Sequence, residues 1–244
     1  MQHILGLVRR CVEDYHMIEA GETVAVGVSG GKDSLTLLVA LAKLREFYPI
    51  PFTVEAFTLD MGAAEGRPGM DFSPIAQLCR EMEVPYTILG SEIQHIIFDV
   101  RKEKNPCSLC AKMRRGALVD LCLEVGANKL ALGHHRDDAI ETLFLSMLYE
   151  GRIHTFHPVT HLTRKGITQI RPLVYLPEKH VLHMVKALNL PVVPSPCPAN
   201  GRTKRDDVRE LLNAICRRKP DARELLLSAL QNEAQYGLWE KPKD

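Results

Sequence analysis

The 244-residue sequence has one Trp, an aromatic content of 6% and no excess of either charge, since 31 Lys and Arg stand against 30 Asp and Glu. So even a balance offers no overall field for a polyanion, and any nucleic-acid contact must come from local clusters of basic residues. No stretch approaches the roughly 18 uninterrupted apolar residues of a membrane span. The opening Met1-Gln-His-Ile lacks the charged region and apolar core of an export signal. Internal repeats and low-complexity tracts are also missing. These absences predict a cytoplasmic globular protein without membrane association. Seven cysteines, an odd number, in a chain without an export signal point to reduced thiols, some of them ligands or reactive groups. A hydrophobic fraction of 45% and a charged fraction of 25% are globular values, and the length suits one large α/β domain, alone or with small additions.

Also missing is a phosphate loop of the G-x-x-x-x-G-K-[ST] type, because position 26 is Val where that pattern needs Gly, and Asp33 follows Lys32. In its place stands Thr23-Val-Ala-Val-Gly-Val-Ser-Gly-Gly-Lys-Asp-Ser34. Val24, Val26 and Val28 alternate as in a buried strand, and Leu35–Leu44 turns to a helical pattern, so Ser29–Ser34 is a strand-to-helix loop. Gly30 and Gly31 let backbone approach a phosphate closely, while the helix N-terminus and Lys32 supply positive potential; Ser29, Asp33 and Ser34 complete the loop. Upstream, residues 2–19 carry an amphipathic helical pattern. Downstream, Phe52–Leu59 reads as a second buried strand ending at Asp60. That acid sits where ligands bind in open parallel sheets, and equally where turn chemistry would place it. Pro74 opens a helix through Met82, and Tyr86–Leu89 can form a third strand. Strands alternating with helices predict right-handed β-α-β units in a parallel sheet.

Asn105-Pro-Cys107-Ser-Leu-Cys110 places two thiols three residues apart at a predicted helix start. Such spacing lets both sulfurs reach one soft metal or each other, and by itself leaves zinc, iron–sulfur, a redox dithiol and coincidence all open. There is no second Cys-x-x-Cys to close a zinc site. Cys11, Cys79, Cys122 and Cys216 lie in periodic apolar segments, as inert buried thiols do. Cys197 lies in a rigid, proline-dense loop, Pro194–Asn200, after the short apolar run Leu190–Val193, and loops after strands of a parallel sheet converge on the ligand edge. A pair plus one distant cysteine would satisfy three irons of a cubane cluster and leave the fourth open; spacing alone allows Cys197 to be a plain loop thiol. A third informative stretch, Asn128–Thr142, repeats strand, polar turn and helix. In its turn Asp137 and Asp138 can cap the helix, hold magnesium or act as a base, and His134 and His135 can neutralise phosphate, with Glu141 following.

Ser29-Gly-Gly-Lys-Asp-Ser34 resembles the pyrophosphate loop of the ATP-pyrophosphatase (PP-loop) superfamily, whose members cleave ATP between its α and β phosphates. Together with Pro106–Gly116, Leu132–Leu143, Ile170-Arg-Pro-Leu173 and Cys197, it makes residues 1–220 similar to the tRNA 2-thiocytidine synthetases. The resemblance implies an α/β, Rossmann-like parallel sheet of about five strands with helices on both faces. It implies a PP-loop domain over 1–200 and a helical extension over 201–244 packed on it. It also implies that Ser29, Gly30, Gly31, Lys32, Asp33 and Ser34 cradle the phosphates of ATP, with Asp33 near Mg2+. Phe57, Thr58 and Leu59 would meet adenine beside Asp60, Gly133 and His134 would complete the pocket, and Asp138 would orient or deprotonate reacting groups. Cys107, Cys110 and Cys197 would hold a 4Fe-4S cluster whose open iron carries sulfide. The implied partners are tRNA, through cytidine 32, and a sulfur donor, either sulfide or a cysteine desulfurase system; the tail helices suit packing or a homodimer. Lys112-Met-Arg-Arg115 and Arg202-Thr-Lys-Arg205, which flank the cysteines, and Arg217-Arg-Lys219 are candidate RNA contacts. One departure is that the late loop, Ser195–Gly201, has a single cysteine where the family pattern has two. Persulfide chemistry on Cys107 or Cys110, an ammonia-transferring ligase, and an RNA-binding module with a structural metal are the competing readings.

Overall fold

The computed structural model describes residues 1–62, 69–103, 106–194, 203–232, 234 and 236–238. Within them α1 (Gln2–Asp14) turns Ile4, Leu5, Val8, Cys11 and Val12 inward, the stripe a helix of 3.6 residues per turn produces. It stops short of the predicted end because His16 takes a left-handed conformation, φ 47°. Then come β1 (Thr23–Gly27), α2 (Lys32–Leu44), β2 (Thr53–Asp60), α3 (Ser73–Glu81) and β3 (Tyr86–Gly90). A π-helical turn, His95–Val100, fills the stretch where the sequence pattern weakens, and α4 (Pro106–Glu124) starts beside the cysteine pair. The remaining elements are β4 (Lys129–Ala131), α5 (Arg136–Glu150), β5 (Val159–Leu162), β6 (Ile167–Ile170), α6 (Glu178–Ala187), α7 (Lys204–Arg218) and α8 (Ala222–Gln231).

The strands form one sheet of order β3-β2-β1-β4-β6-β5. Five are parallel; the sixth, β5, pairs antiparallel with β6 through a tight turn that Gly166 closes at φ 68°. The expected parallel α/β sheet is therefore present, with an added antiparallel edge strand. Central β1 has Val24, Ala25 and Val26 wholly buried, as a parallel strand covered on both faces must be. Lys129, buried on β4, is paired with Glu22 at 3.3 Å, which keeps its charge compatible with burial. Helix α4 covers one face, where Val119, Leu121 and Cys122 pack with Ala25, Phe57, Leu130 and Ile167. The apolar run Leu190–Val193 adds no strand and follows α6 as irregular chain.

The chain forms two compact units, 1–135 with 157–201 and 136–156 with 202–244. The second unit contains α5, α7 and α8 around Ile140, Val208 and Leu212. Thr203 and Asp206 start α7 with a reciprocal capping box. Buried Glu141 of α5 accepts from Arg205 at 3.1 Å and Arg209 at 2.9 Å, both on α7.

In the first unit, the chain leaves β1 outward to β2 and β3 and returns to form β4 on the other side of β1. The switch point, where parallel sheets open a ligand crevice, therefore lies between β1 and β4. The neighbouring strand ends are stitched together: Ser91 N–H donates to the Asp60 carbonyl at 2.9 Å, and Gly62, at φ 77°, approaches so closely that an added Cβ would lie 2.5 Å from the Ser91 carbonyl oxygen. Gly62→Ala is therefore expected to cost about 1–3 kcal/mol through backbone strain and overpacking. Differential scanning calorimetry should show a midpoint several degrees below that of the wild type.

Candidate functional site

The loop after β1 is shaped by its own serines. Ser34 Oγ donates to the Gly31 carbonyl at 2.9 Å while accepting from Ser29 N–H at 3.1 Å and Ser29 Oγ at 3.2 Å. Gly30 takes φ 83°, a left-handed turn that only glycine adopts without strain, and Gly31 stands extended at the N-cap of α2 with no capping side chain. The opening of α2 thus faces the loop, the arrangement that receives an anion. Thr58 Oγ1 donates to the Val28 carbonyl at 2.7 Å and accepts from Tyr86 Oη at 2.7 Å, which fixes the strand end that launches the loop.

The Lys32 ammonium lies 2.9 Å from both carboxylate oxygens of Asp33 and 3.1 Å from Oε1 of Glu178 at the start of α6. Burial works against its charge, but these carboxylates outweigh burial and raise its pKa above the ordinary lysine value. His135, almost completely buried, places Nε2 3.5 Å from Asp33 Oδ1. The loop after β4 comes closer still: a Cβ on Gly133 would lie 2.9 Å from the Asp33 carbonyl carbon and 3.0 Å from Ser34 N. Ser29–Ser34, Gly133 and His134 thus come together at the carboxyl ends of β1 and β4. Phe57 and Thr58 are the buried end of β2, with the Phe57 carbonyl accepting Val28 N–H at 2.7 Å, and Leu59 is half-buried. The Asp60 carboxylate accepts Gly62 N–H at 3.1 Å, the turn role its position also allows.

Two residues not singled out from the sequence join this loop. Glu178 is one, announced only by a proline before a helix start. Val193 is the other: its N–H donates to the Gly30 carbonyl at 3.0 Å, and its Cβ lies 3.2 Å from where a Cβ on Gly30 would stand. Val193 precedes Cys197 by four positions; Cys197 and Arg202 themselves lie outside the described residues.

Helix α4 divides into two halves. Val119, Leu121 and Cys122 are core, whereas Cys107, Lys112, Arg114 and Arg115 are exposed and Cys110 is half-buried. The other thiols differ chemically. Burial pushes Cys11 and Cys122 up to about 12 and Cys79 up to about 11, so all three remain protonated near neutrality, and Cys216 is half-buried. Among the described residues no group of three or more His, Cys, Asp or Glu is arranged to hold a metal ion.

In the second unit, Asp137 and Glu141 are engaged in ion pairs between helices, Asp137 with Arg223 at 2.6 Å and Glu141 with Arg205 and Arg209. Asp138 is more exposed, 21% by side chain, with Arg205 at 3.6 Å. Of the acids in this turn, Asp138 is thus the one most open to solvent.

The family profile of the PP-loop domain matches residues 7–215. A protein named tRNA-cytidine(32) 2-sulfurtransferase from Geobacter metallireducens is 38% identical over 228 residues, 92% of this chain and 87% of its own length. Its namesakes from Pelobacter propionicus and Dechloromonas aromatica are 37% and 34% identical, each over 95% of this chain and over 85% and 80% of their own lengths. Among solved structures, the U34-tRNA thiolase NcsA from Methanococcus maripaludis, determined with its 4Fe-4S cluster, superposes with a TM-score of 0.76 at 22% identity, covering 98% of this chain and 83% of that one. At that identity the likeness is one of fold. With most of its length matched both by the PP-loop profile and by these relatives, the chain belongs to the PP-loop family, in the branch of the tRNA-cytidine(32) 2-sulfurtransferases.

Proposed function

We propose that the protein activates a base carbonyl of tRNA with ATP and replaces the carbonyl oxygen by sulfur, giving a 2-thiocytidine-type product. One observation carries this reading: a glycine-rich strand-to-helix loop lies in the same compact unit as a pair of thiols, exposed Cys107 and half-buried Cys110, which are one turn apart on a basic half-helix. The names of the relatives support it. Ser29–Ser34 hold the phosphates that leave as pyrophosphate, with Asp33 near Mg2+ and Lys32 countering their charge. Backbone at Phe57–Leu59, beside Asp60, receives adenine, and Gly133 and His134 close the pocket. The carbonyl oxygen of the base attacks the α-phosphorus and the bond to pyrophosphate breaks. A sulfur nucleophile then adds to the activated carbon, and AMP leaves with the former carbonyl oxygen. Asp138 orients or deprotonates the reacting groups.

The chemistry of the three thiols suits a 4Fe-4S cluster. Cys107 and Cys110 are soft ligands at i and i+3 on an accessible helix start, and Cys197 follows a segment bonded to the phosphate loop. Cys107, Cys110 and Cys197 would hold the cluster, which when bound supplies an iron position without a cysteine, suited to a sulfide. Lys112, Arg114 and Arg115 lie along the same half-helix, where phosphates of a tRNA loop can contact them while the target base is splayed out. The sulfur donor is sulfide itself or a cysteine desulfurase system. A persulfide on Cys107 or Cys110 is the competing route to the same product.

Nucleosides of tRNA from a deletion strain, analysed by mass spectrometry, should lack one thionucleoside, and the plasmid-borne gene should restore it; an unchanged thionucleoside profile rejects the reading. Cys107→Ser, Cys110→Ser and Cys197→Ser should each fail to restore it. If Cys197→Ser succeeds where the other two fail, the persulfide route is correct. In the metal-free native protein, brief alkylation followed by peptide mapping should mark Cys107 ahead of Cys11, Cys79 and Cys122, as exposure and thiol acidity dictate. Gly133→Ala places a methyl group against the backbone of Asp33 and Ser34, and should raise the KM for ATP at least about tenfold in a tRNA-dependent pyrophosphate-release assay.

A further inference from the structure

A lysine ammonium has three N–H donors, and three carboxylate oxygens already surround that of Lys32: two from Asp33 at 2.9 Å and one from Glu178 at 3.1 Å. The cation that should meet a polyphosphate is therefore occupied before the nucleotide arrives. Among these three side chains two carboxylates stand against one ammonium, beside His135 and the start of α2, and a polyphosphate must compete with both carboxylates for Lys32.

The two acids differ in where they come from. Asp33 neighbours Lys32 in the chain, sits in the first turn of α2 and also faces His135. Glu178 comes from a different element: the chain leaves the carboxyl end of β6, passes Arg171–Leu176, and Pro177 caps the start of α6. Buried Val181 and Met184 anchor α6 in the core, so its first residue is held at the loop by packing that does not involve the nucleotide. The Glu178 side chain is 27% exposed, so its carboxylate can turn into water without unpacking the helix.

We propose that Glu178 is a latch on Lys32 that competes with the nucleotide: it holds the ammonium in the empty loop, releases it when the phosphates enter, and recaptures it as pyrophosphate leaves. Glu178 acts through Lys32 and is thus a positioning residue. The proposal rests on the reading of Ser29–Ser34 as the ATP site. It implies that a divalent cation assists binding partly by offsetting the Glu178 charge, so the penalty from Glu178 is greatest for metal-free nucleotide. It also implies that the contact hastens product departure, since a carboxylate waits to replace the pyrophosphate oxygens around Lys32.

The full-length protein is titrated with ATP by isothermal calorimetry, once with magnesium and once with EDTA, beside Glu178→Gln, Glu178→Ala and Glu178→Asp. Glu178→Gln and Glu178→Ala should bind ATP about three- to tenfold more tightly than the wild type, with the larger gain in EDTA. Glu178→Asp keeps the charge and should stay within about twofold of the wild type in the same titration. In turnover, Glu178→Gln should lower both KM for ATP and kcat, a split that simple loss of structure does not give. Equal or weaker ATP binding by the two neutral variants, with thermal midpoints near wild type, overturns the latch and leaves the ATP site standing. Alanine is a good helix former, so Glu178→Ala serves the test if Glu178→Gln is poorly folded. Absence of ATP binding by the wild type overturns both the latch and the ATP site.

Discussion

The constraint on which the site depends is the contact between Gly133 and the start of α2, where no side chain larger than a hydrogen fits against Asp33 and Ser34. It exists because β1 and β4 are parallel neighbours, in register from Val24 opposite Lys129 to Val26 opposite Ala131, so that their loops leave the sheet side by side. Two consequences follow. His135 reaches Asp33 from the second loop, and the glycine-rich first loop receives backbone support it cannot give itself. Ser34 Oγ, bonded to Ser29 and Gly31, then curls the chain at the start of α2. Preorganisation of this kind matters for phosphates because the donors must already point inward when the charge arrives.

Charge is arranged by the same economy. Several charges buried away from the loop are matched locally: Lys129 by Glu22, Arg136 by Glu224, and the buried acid Glu141 by Arg205 and Arg209. Such pairs hold elements in place, because breaking one leaves an uncompensated buried charge. At Lys32 the balance tips the other way, with two acids around one base, and the group is half-open to solvent. Glu141 shows the same two-to-one ratio, but that acid is buried, whereas the carboxylates around Lys32 are reachable from solvent. An excess of one sign at an accessible loop instead suits a contact that is exchanged during function.

Much of this was legible in the sequence because short-range pattern controls it. The valine alternation before Ser29 marks a two-sided strand, and the Cys-x-x-Cys after a proline marks a helix start; the fold bears out both. The antiparallel β5 and the Lys32–Glu178 contact were not legible. Four-residue strands carry too little periodicity to register, and a partner nearly 150 positions away leaves no trace in local spacing. Leu190–Val193 has a strand's composition, yet it runs as irregular chain, its backbone bonded to Gly30 instead of to a neighbouring strand. In the turn after β4, the acids look alike in sequence, and only their partners tell them apart: Asp137 meets Arg223, Glu141 meets two arginines, and Asp138 keeps the most exposure.

The cysteines show how burial alone sorts one residue type into two chemistries. A thiol that is to bind a soft metal or attack an electrophile must ionise near neutrality, and desolvation opposes this directly. Cys122 packs against the sheet and Cys11 is buried on α1, and their thiols are driven to about 12, beyond useful ionisation. Cys122 and Cys110 lie on the same helix, three turns apart, so neither helix propensity nor residue type distinguishes them. What differs is that the fully buried residues of α4 begin at Val119, whereas the residues before it are exposed or half-buried. That half carries exposed Lys112, Arg114 and Arg115, so the same lack of cover that leaves Cys107 accessible also exposes a cluster of basic side chains of the kind that contacts polyanions.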